Sequence, residues 1–257
     1  MTSFNTAHEE KVWWEIFKKE LLNKNFKDFS SYWWKDYYDE IISFVNSSIL
    51  SKLNSKNILE AWAWSWKSSI LLWNKVDNMT MLDISENALK YSKYLSSKFN
   101  IENIDFVKWD MFKMPFKNNN FDFVWNIWTI EHYSKKDISK IIEEMVRVTN
   151  NSWYIALWFP NFFSWPILKA WIIWMIPFNI FKWYKLDTEI FYSEKNIIEI
   201  ITNIKGLNIE DVKINKFWSF LPMEFPRFFI IFWKRFEKFL LKNKFLTFIS
   251  FKVVKYG

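Results

Sequence analysis

Glycine is nearly absent from this chain of 257 residues, which contains only Gly206 and Gly257. A chain of this length with the usual glycine content of about 7% would carry roughly 18 glycines. Tryptophan is in excess instead, with 19 residues, and several stand where a tight turn needs a residue without a side chain. We therefore hypothesise that many of these tryptophans are glycines in the source organism, which would read the codon UGA as glycine. The alternative is a protein that is genuinely rich in tryptophan.

Cysteine is absent as well. Its absence excludes a disulfide scaffold, a cysteine-based metal site and a cysteine nucleophile, and it is typical of a protein in a reducing cytoplasm. We predict no metal site from the remaining residues.

Arginine is scarce, with only Arg147, Arg227 and Arg235 among 35 basic residues. The formal net charge is +7, but the guanidinium fork is the side chain that usually reads phosphate and guanine. The excess of basic over acidic residues therefore does not indicate a nucleic-acid partner.

Long apolar runs are also missing. The first ten residues are polar and predict no signal peptide. The most prominent uncharged run covers residues 170–181, and it is too short to cross a bilayer, which takes about 20 residues. These features predict a cytoplasmic protein.

Strand and helix patterns alternate from residue 57 onward. Strands separated by helices of ten or more residues require parallel crossover connections, so the pattern predicts an α/β fold with a doubly wound, seven-stranded, mostly parallel sheet. We expect strands over 57–61, 79–82, 104–108, 121–126, 154–158, 207–215 and 248–255, and helices over 67–72, 85–99, 137–148, 193–204 and 223–243.

Two segments do not follow this alternation of strands and helices. Residues 1–55 predict a helical extension with helices over 9–22 and 37–53, and the pair Trp33–Trp34 predicts a break before the second helix. Residues 56–257 form the main domain, into which the aromatic, proline-containing segment of about 160–190 inserts as a cap.

The strand–turn segment over residues 58–66 is the main candidate binding feature. With glycine at Trp62, Trp64 and Trp66 it becomes a strand that runs into a Gly-x-Gly-x-Gly turn, where the backbone can approach a ligand closely. Asp83 ends the next strand, where a doubly wound fold places a carboxylate on ribose hydroxyls. Its two oxygens suit two adjacent hydroxyl groups. The alternative is that Asp83 only caps a loop.

With these glycines restored, the chain resembles the class I S-adenosylmethionine-dependent methyltransferases, in particular the small-molecule, type 11 group. The likeness is good over about 55–160 and looser over 190–215. It implies a Rossmann-like fold, S-adenosylmethionine as cofactor and methyl transfer as activity. The pieces that carry it are Ile58–Trp66, Met81–Ser85, Val107–Met111, Phe121–Val124, Thr129–Tyr133 and Trp153–Leu157.

The resemblance also implies roles for single residues. Asp110 would accept the adenine amino group with the Met111 backbone beside it, although Asp110 could equally cap a loop. Glu60 would steady the turn or, through water, the ammonium group of the cofactor, which the backbone near Asn126 would also meet. The implied cofactor-binding residues are Glu60, Ala61, Trp62, Ala63, Trp64, Trp66, Asp83, Ile84, Trp109, Asp110, Met111 and Asn126.

His132 follows the fourth strand directly after Glu131, at the edge expected to face the ligand. An unperturbed imidazole has a pKa near neutrality, so His132 is the candidate general base. The alternative is that it only shapes the pocket, because positioning alone supports many methyl transfers.

Two other functions compete for the same loop. With glycine at Trp66, Ala61–Ser68 is a relaxed P-loop that would bind phosphates and place Ser68 on magnesium, but no apolar strand ends in the aspartate that would support the metal. If the tryptophans are real, indoles would obstruct the turn, and a non-catalytic binding module on a degenerate methyltransferase fold is favoured.

The class of methyl acceptor is predicted from the cap segment and from missing motifs. No Asn/Asp-Pro-Pro-aromatic motif comes after the fourth strand and no cysteine could attack cytosine, which argues against nucleic acid as a substrate. The cap favours a small, apolar or lipid-like acceptor, with residues 160–183 in peripheral contact with the inner face of the membrane. Alternatively its side chains only pack the cap onto the sheet; they are Phe162, Phe163, Ile167, Leu168, Phe178 and Phe181.

Overall fold

The computed structural model describes residues 32–62, 67–161, 164, 190–217, 228, 232 and 246–255. Three short 3-10 helices, Leu50–Lys52, Trp73–Lys75 and Ile130–His132, lie between the larger elements. Those elements are α1 (Tyr32–Ser48), β1 (Asn57–Ala61), α2 (Lys67–Leu72), β2 (Asn78–Asp83), α3 (Glu86–Lys98), β3 (Ile104–Lys108), β4 (Phe121–Ile127), α4 (Lys135–Val148), β5 (Thr149–Pro160), α5 (Glu194–Thr202), β6 (Leu207–Phe217) and β7 (Leu246–Lys255).

The strands form one sheet in the order β3-β2-β1-β4-β5-β7-β6. The five strands β1 to β5 pair in parallel, and β7 lies antiparallel between β5 and β6. The order reverses between β1 and β4, so the carboxyl ends of β2, β1 and β4 meet at one edge, where ligands bind in such sheets. The predicted fold class, a doubly wound, seven-stranded, mostly parallel sheet, is confirmed.

Each face of the sheet carries its own core, because side chains alternate along a strand. On one face α1, α2 and α3 pack against the sheet; on the other α4 and α5 do. The α1 residues Ile41, Ile42 and Val45 join the first core, which shows that this helix packs on the same sheet as the rest. The fully buried residues Ile138, Ile141, Ile142 and Met145 of α4 join the second at helical spacing.

Serine side chains begin three of the helices. The Ser85 hydroxyl accepts a hydrogen bond from the Ala88 N–H, and Ser193 forms a capping box with Asn196, as the sequence predicts for both serines. Ser134 caps α4 in the same way, so that helix begins earlier than predicted.

Two predictions about element limits are wrong. The helix predicted over 37–53 begins at Tyr32 and ends at Ser48, so Trp33–Trp34 lies inside α1 and not in a break; the break depended on glycine at both positions. The fifth strand was expected over 154–158 but spans Thr149–Pro160. It begins directly where α4 ends, and Ser152 takes a left-handed conformation (φ 67°) within it.

Several predicted features lie outside the described residues. They include the helix over 9–22, nearly all of the cap and most of the helix over 223–243, of which Phe228 and Phe232 are helical and exposed. The division of the chain near residue 55 stays a prediction. Within the described part of the chain, no helix has both the length and the apolar character needed to cross a membrane.

Candidate active site

Hydrogen bonds extend the sheet beyond the carboxyl ends of its central strands. The Trp62 N–H, just after β1, donates to the Leu82 carbonyl oxygen at 2.8 Å. The Trp109 N–H, just after β3, donates to the Asp83 carbonyl oxygen at 3.0 Å. The segments predicted to bind the cofactor after β1, β2 and β3 therefore lie side by side at this carboxyl edge.

Glu60 is a wholly buried carboxyl group in β1, close to that edge. Its Oε2 accepts a hydrogen bond from the Ser69 hydroxyl of α2, whereas Oε1 has no hydrogen-bond partner among the described residues. Burial raises the pKa of Glu60 to about 8; the Ser69 hydrogen bond opposes this shift and the charge of Asp83 adds to it. The carboxyl group is therefore mostly protonated at neutral pH until a cation approaches it.

Asp83 is the last residue of β2 and only 2% exposed. Its Oδ1 accepts the Ser85 N–H at 2.7 Å and so closes the turn into α3. The loop-capping interpretation therefore accounts for one carboxylate oxygen. Its role on a ribose stays a prediction.

Asn126, near the end of β4, is completely buried. Its Nδ2 donates to the Ala61 carbonyl oxygen at 2.6 Å, which ties β4 to the end of β1. Its Oδ1 accepts no hydrogen bond from any residue that the structure describes. The resemblance implied that the backbone near Asn126 would meet the ammonium group of the cofactor, and that role stays a prediction.

The segment after β3 combines exposed and buried residues. Trp109 is half exposed, whereas Met111 is completely buried. Asp110 is exposed, and its Oδ1 accepts the Phe112 N–H at 2.9 Å, so it also caps a turn. Ile84, directly after β2, is 36% exposed, and its contact with the cofactor stays a prediction.

Two tryptophans at the carboxyl edge have a left-handed backbone. Trp62 has φ of 70° and Trp128 has φ of 56°. Most other left-handed residues of the described chain are asparagine, aspartate, serine or glycine, which adopt this conformation more readily than a bulky aromatic residue. The Trp62 ring also lies edge-on to Tyr133, with 6.2 Å between ring centroids.

His132 ends the 3-10 helix that follows β4 and is half-buried. Its backbone N–H donates to the Thr129 carbonyl oxygen at 3.0 Å. Next to it, the Glu131 carbonyl oxygen accepts the Ile190 N–H at 2.6 Å. The end of the predicted cap segment, Ile190, is therefore hydrogen-bonded to the turn that carries His132.

Ala63, Trp64 and Trp66 lie outside the described residues. Ser68, which a P-loop would place on magnesium, is completely buried in α2. Within the described chain its hydroxyl has no partner, so the structure gives the P-loop alternative no support.

Sequence reasoning missed Ser69 and Tyr133. Ser69 directly precedes the apolar run of α2, Ile70–Leu72, and a serine on a buried helix face is a signal for a buried polar partner. Tyr133 lies in the segment Thr129–Tyr133 that carries the resemblance, but no role was predicted for its side chain.

Two cavities lined by described residues, of about 360 and 680 Å³, lie at the opposite, amino edge of the sheet. The larger is lined by the side chains of Arg147 and Lys255 among others. Both groups already donate hydrogen bonds to protein oxygens. These cavities are therefore separate from the residues that the resemblance assigns to the cofactor.

Residues 67–156 match the protein family described as a methyltransferase domain. The match covers 90 of the 257 residues. The matched stretch runs from α2 through most of β5 and contains Asp83, Asp110, Asn126 and His132.

Solved structures of methyltransferases share the fold along most of the chain. Magnesium protoporphyrin IX methyltransferase from Synechocystis PCC 6803, solved with bound SAH, is 12% identical with a TM-score of 0.62, over 96% of both chains. The N-methyltransferase NodS from Bradyrhizobium japonicum WM9, in complex with S-adenosyl-L-homocysteine, is 12% identical with a TM-score of 0.57, over 94% of this chain and 98% of its own. A SAM-dependent methyltransferase from Aquifex aeolicus is 13% identical with a TM-score of 0.57, over 94% of this chain and 98% of its own.

The matched domain and the shared fold confirm the predicted enzyme class, a methyltransferase that uses S-adenosylmethionine.

Proposed function

We propose that this methyltransferase holds S-adenosylmethionine at the carboxyl edge and methylates a small, apolar or lipid-like acceptor. One observation carries the cofactor site: buried acceptor oxygens of Glu60 and Asn126 lie at the ends of neighbouring strands with no partner in the described chain. A buried polar atom without a partner costs stability and needs an explanation. A cationic ligand provides one.

The side chains at this edge fit the polar groups of S-adenosylmethionine. The ammonium group of the cofactor's amino-acid part can donate to Glu60 Oε1 and Asn126 Oδ1, which accept no hydrogen bond from the described residues. Asp83 would take the ribose hydroxyls, and Asp110 with the Met111 backbone would take the adenine. Because the approach of an ammonium group favours the charged carboxylate, the cofactor would also draw a proton from Glu60.

S-adenosylmethionine supplies a methyl group on a positively charged sulfur. The chain's own residues have two tasks, to hold the acceptor atom in line with that methyl group and to take any proton that the acceptor loses. His132 lies directly after β4 and next to the returning chain at Ile190, and it is our candidate for the proton acceptor. Holding the acceptor atom in line with the methyl group requires no catalytic group besides the residues that bind the two substrates.

The acceptor and its location are inferred from the composition of residues 160–190. This segment is rich in aromatic and aliphatic residues, and its end, Ile190, hydrogen-bonds to the turn that carries His132 and is 44% exposed. A segment of this composition, which continues into Ile190, favours an apolar acceptor over nucleic acid. We place the protein in the cytoplasm, with residues 160–183 in contact with the inner face of the membrane.

Methyl transfer from methyl-labelled S-adenosylmethionine tests the acceptor class. The enzyme would be incubated with a lipid extract, a polar metabolite extract and total RNA, and the label measured in each after separation. We expect label in the lipid fraction. Label in RNA alone would contradict the proposal.

We further propose that Trp62 and Trp128 are glycines in the cell, together with Trp64, Trp66 and Trp109. The left-handed backbone at the first two supports this, because that conformation costs a side-chain-bearing residue about 1–2 kcal/mol. Two buried tryptophans in the strands, Trp125 and Trp158, add support: their indole N–H groups find no acceptor in the described chain.

Mass spectrometry of the protein from its source organism tests this directly. Peptides that span residues 57–75 and 121–135 would carry glycine at 62, 64, 66 and 128. Tryptophan at these positions would contradict the proposal. A second test compares thermal melts of the tryptophan and glycine versions with and without S-adenosylmethionine, where only the glycine version should be stabilised.

A non-catalytic binding module is the second candidate. It is favoured by the contact between the Trp62 ring and Tyr133, because an indole there occupies space beside the turn that a cofactor would need. Tryptophan in the peptides above, together with no binding of S-adenosylmethionine, would favour it.

A further inference from the structure

The connection between β3 and β4, residues 109–120, contains neither helix nor strand. The proposed function places two residues of this connection, Asp110 and Met111, against the adenine ring. An irregular connection of this length needs specific contacts if it is to present a binding group at a fixed position.

Arg147, in the last turn of α4, makes several of these contacts. Its Nη2 donates to the Met114 carbonyl oxygen at 2.9 Å, and its Nη1 donates to the Phe116 carbonyl oxygen at 2.7 Å. Nη1 also donates to Asn118 Oδ1 at 3.0 Å. One planar guanidinium group thus binds three residues of the connection, which a single ammonium group could not do in the same geometry.

Glu144 fixes the guanidinium group. Arg147 Nε and Nη2 donate to its two carboxylate oxygens, each at 2.8 Å, and the Met114 N–H donates to Oε2 at 2.9 Å. Burial alone would raise the pKa of Glu144, but the hydrogen bonds from Arg147 and Met114 outweigh it and hold the pKa below its usual value. The pair is therefore charged at neutral pH and bidentate.

The first part of the connection is tied to Asp110. The Phe112 N–H donates to Asp110 Oδ1 at 2.9 Å, and the Lys113 N–H donates to the Asp110 carbonyl oxygen at 3.3 Å. Met114 follows at once and is held by Glu144 and Arg147. Release of Met114 would therefore remove the contacts that fix this turn from the side of α4, and leave it held by its own hydrogen bonds and by the Trp109 N–H bond to the Asp83 carbonyl oxygen.

We propose that Arg147 is a positioning residue for the adenine ring of the cofactor. Through Glu144 and the backbone of residues 114–118, it fixes Asp110 and Met111 at the carboxyl edge. Arg147 itself lies at the amino edge and does not touch the reacting atoms. This inference rests on the proposed function.

Two ligands separate the adenine contribution from the rest of the site. S-adenosylhomocysteine carries the adenine, and S-ribosylhomocysteine is the same molecule without it. Calorimetry on the full-length protein would give both affinities for the wild type and for Arg147→Met, which keeps length but removes the guanidinium group. We expect S-adenosylhomocysteine to bind about tenfold more weakly and S-ribosylhomocysteine to change by less than about twofold, because only the adenine contacts lose their preorganisation.

Lys255→Met is the matched control. Lys255 also ties this end of the connection, donating to Asn119 Oδ1 and the Thr149 carbonyl oxygen at 2.5 Å each. It donates to the Arg147 carbonyl oxygen at 3.2 Å as well, but it contacts neither the guanidinium group nor residues 114–118 by hydrogen bond. This variant should melt at a lower temperature with the ratio of the two affinities unchanged. Arg147→Lys should fall between the wild type and Arg147→Met. If Arg147→Met does not fold, Glu144→Gln should give a smaller loss in the same direction.

Equal weakening of both ligands in Arg147→Met, or no change in either, would overturn the positioning role while leaving the proposed function intact. A wild-type protein that binds neither ligand would overturn the proposed function, and the positioning role with it.

Discussion

The polar side chains at the two edges of the central sheet differ in how completely they are hydrogen-bonded within the protein. At the carboxyl edge, Glu60 and Asn126 are completely buried and each keeps one acceptor oxygen without a partner in the described chain. Toward the amino edge, Lys52, Tyr154 and Asp211 form a closed triangle in which each side chain hydrogen-bonds to the other two.

The pKa values reflect this difference. The Asp211 carboxylate accepts hydrogen bonds from Lys52 and Tyr154, and these lower its pKa to about 2. Burial raises the pKa of Glu60 to about 8, and the charge of Asp83 adds to this shift. Groups whose charges are satisfied within the protein stabilise the fold, whereas a buried group left without its counterion is suited to a ligand that supplies one.

The largest expected effect concerns His132 at the carboxyl edge. His132→Ala should lower kcat by a factor of about 10²–10⁴ if the imidazole takes a proton in the reaction. The measurement is steady-state methyl transfer, with Lys52→Met at the amino edge as a control that keeps kcat. An unchanged kcat in His132→Ala would mean that His132 only shapes the pocket.

A second prediction concerns the pH dependence of stability caused by Glu60. Because its pKa rises from 4.5 to about 8 on folding, the folded state holds a proton that the unfolded chain releases. Between these two values the free energy of unfolding should fall by about 1.4 kcal/mol for each unit of rising pH. Glu60→Gln should remove this slope.

Urea unfolding of the ligand-free protein at pH 5.5, 6.5 and 7.5 measures that slope. Asp211→Asn serves as the control variant, because its titration lies at much lower pH and should leave the slope in place. The same slope in wild type and Glu60→Gln would show that Glu60 is not a buried neutral acid.

The smallest expected effect concerns Asp211 itself. Its lowered pKa contributes stability that is present above the usual carboxyl pKa and is lost as the pH falls toward 2. Because the Asp211 side chain is one-third exposed, Asp211→Asn should cost no more than about 1 kcal/mol at neutral pH. Thermal melts should show this difference shrinking between pH 4 and pH 2. A larger loss would show that the amino edge depends on this triangle more than its exposure implies.

Much of the fold could be predicted because its signals are local. Alternating apolar strands and serine caps such as Ser85 and Ser193 identified the elements, and β1 and β3 have the predicted limits. The start of β5 could not be predicted, because Val148 passes into Thr149 without any turn residue between helix and strand.

In the candidate site, too, some residues could be predicted from the sequence and some contacts could not. The sequence placed Glu60 and Asp83 at strand ends, since the carboxyl ends of parallel strands share one edge. It could not pair Glu60 with Ser69, or Arg147 with the connection after β3, because those contacts depend on how helices pack on the sheet.

Calorimetric titration of the full-length protein with S-adenosylhomocysteine tests the central claim, a cofactor site at the carboxyl edge. We predict that the wild type and Asp211→Asn bind with the same affinity, while Asp83→Ala binds more weakly by about 1.5–3 kcal/mol, the scale of hydrogen bonds to a charged group. Absence of binding in the wild type, or an unchanged affinity in Asp83→Ala, would contradict the claim.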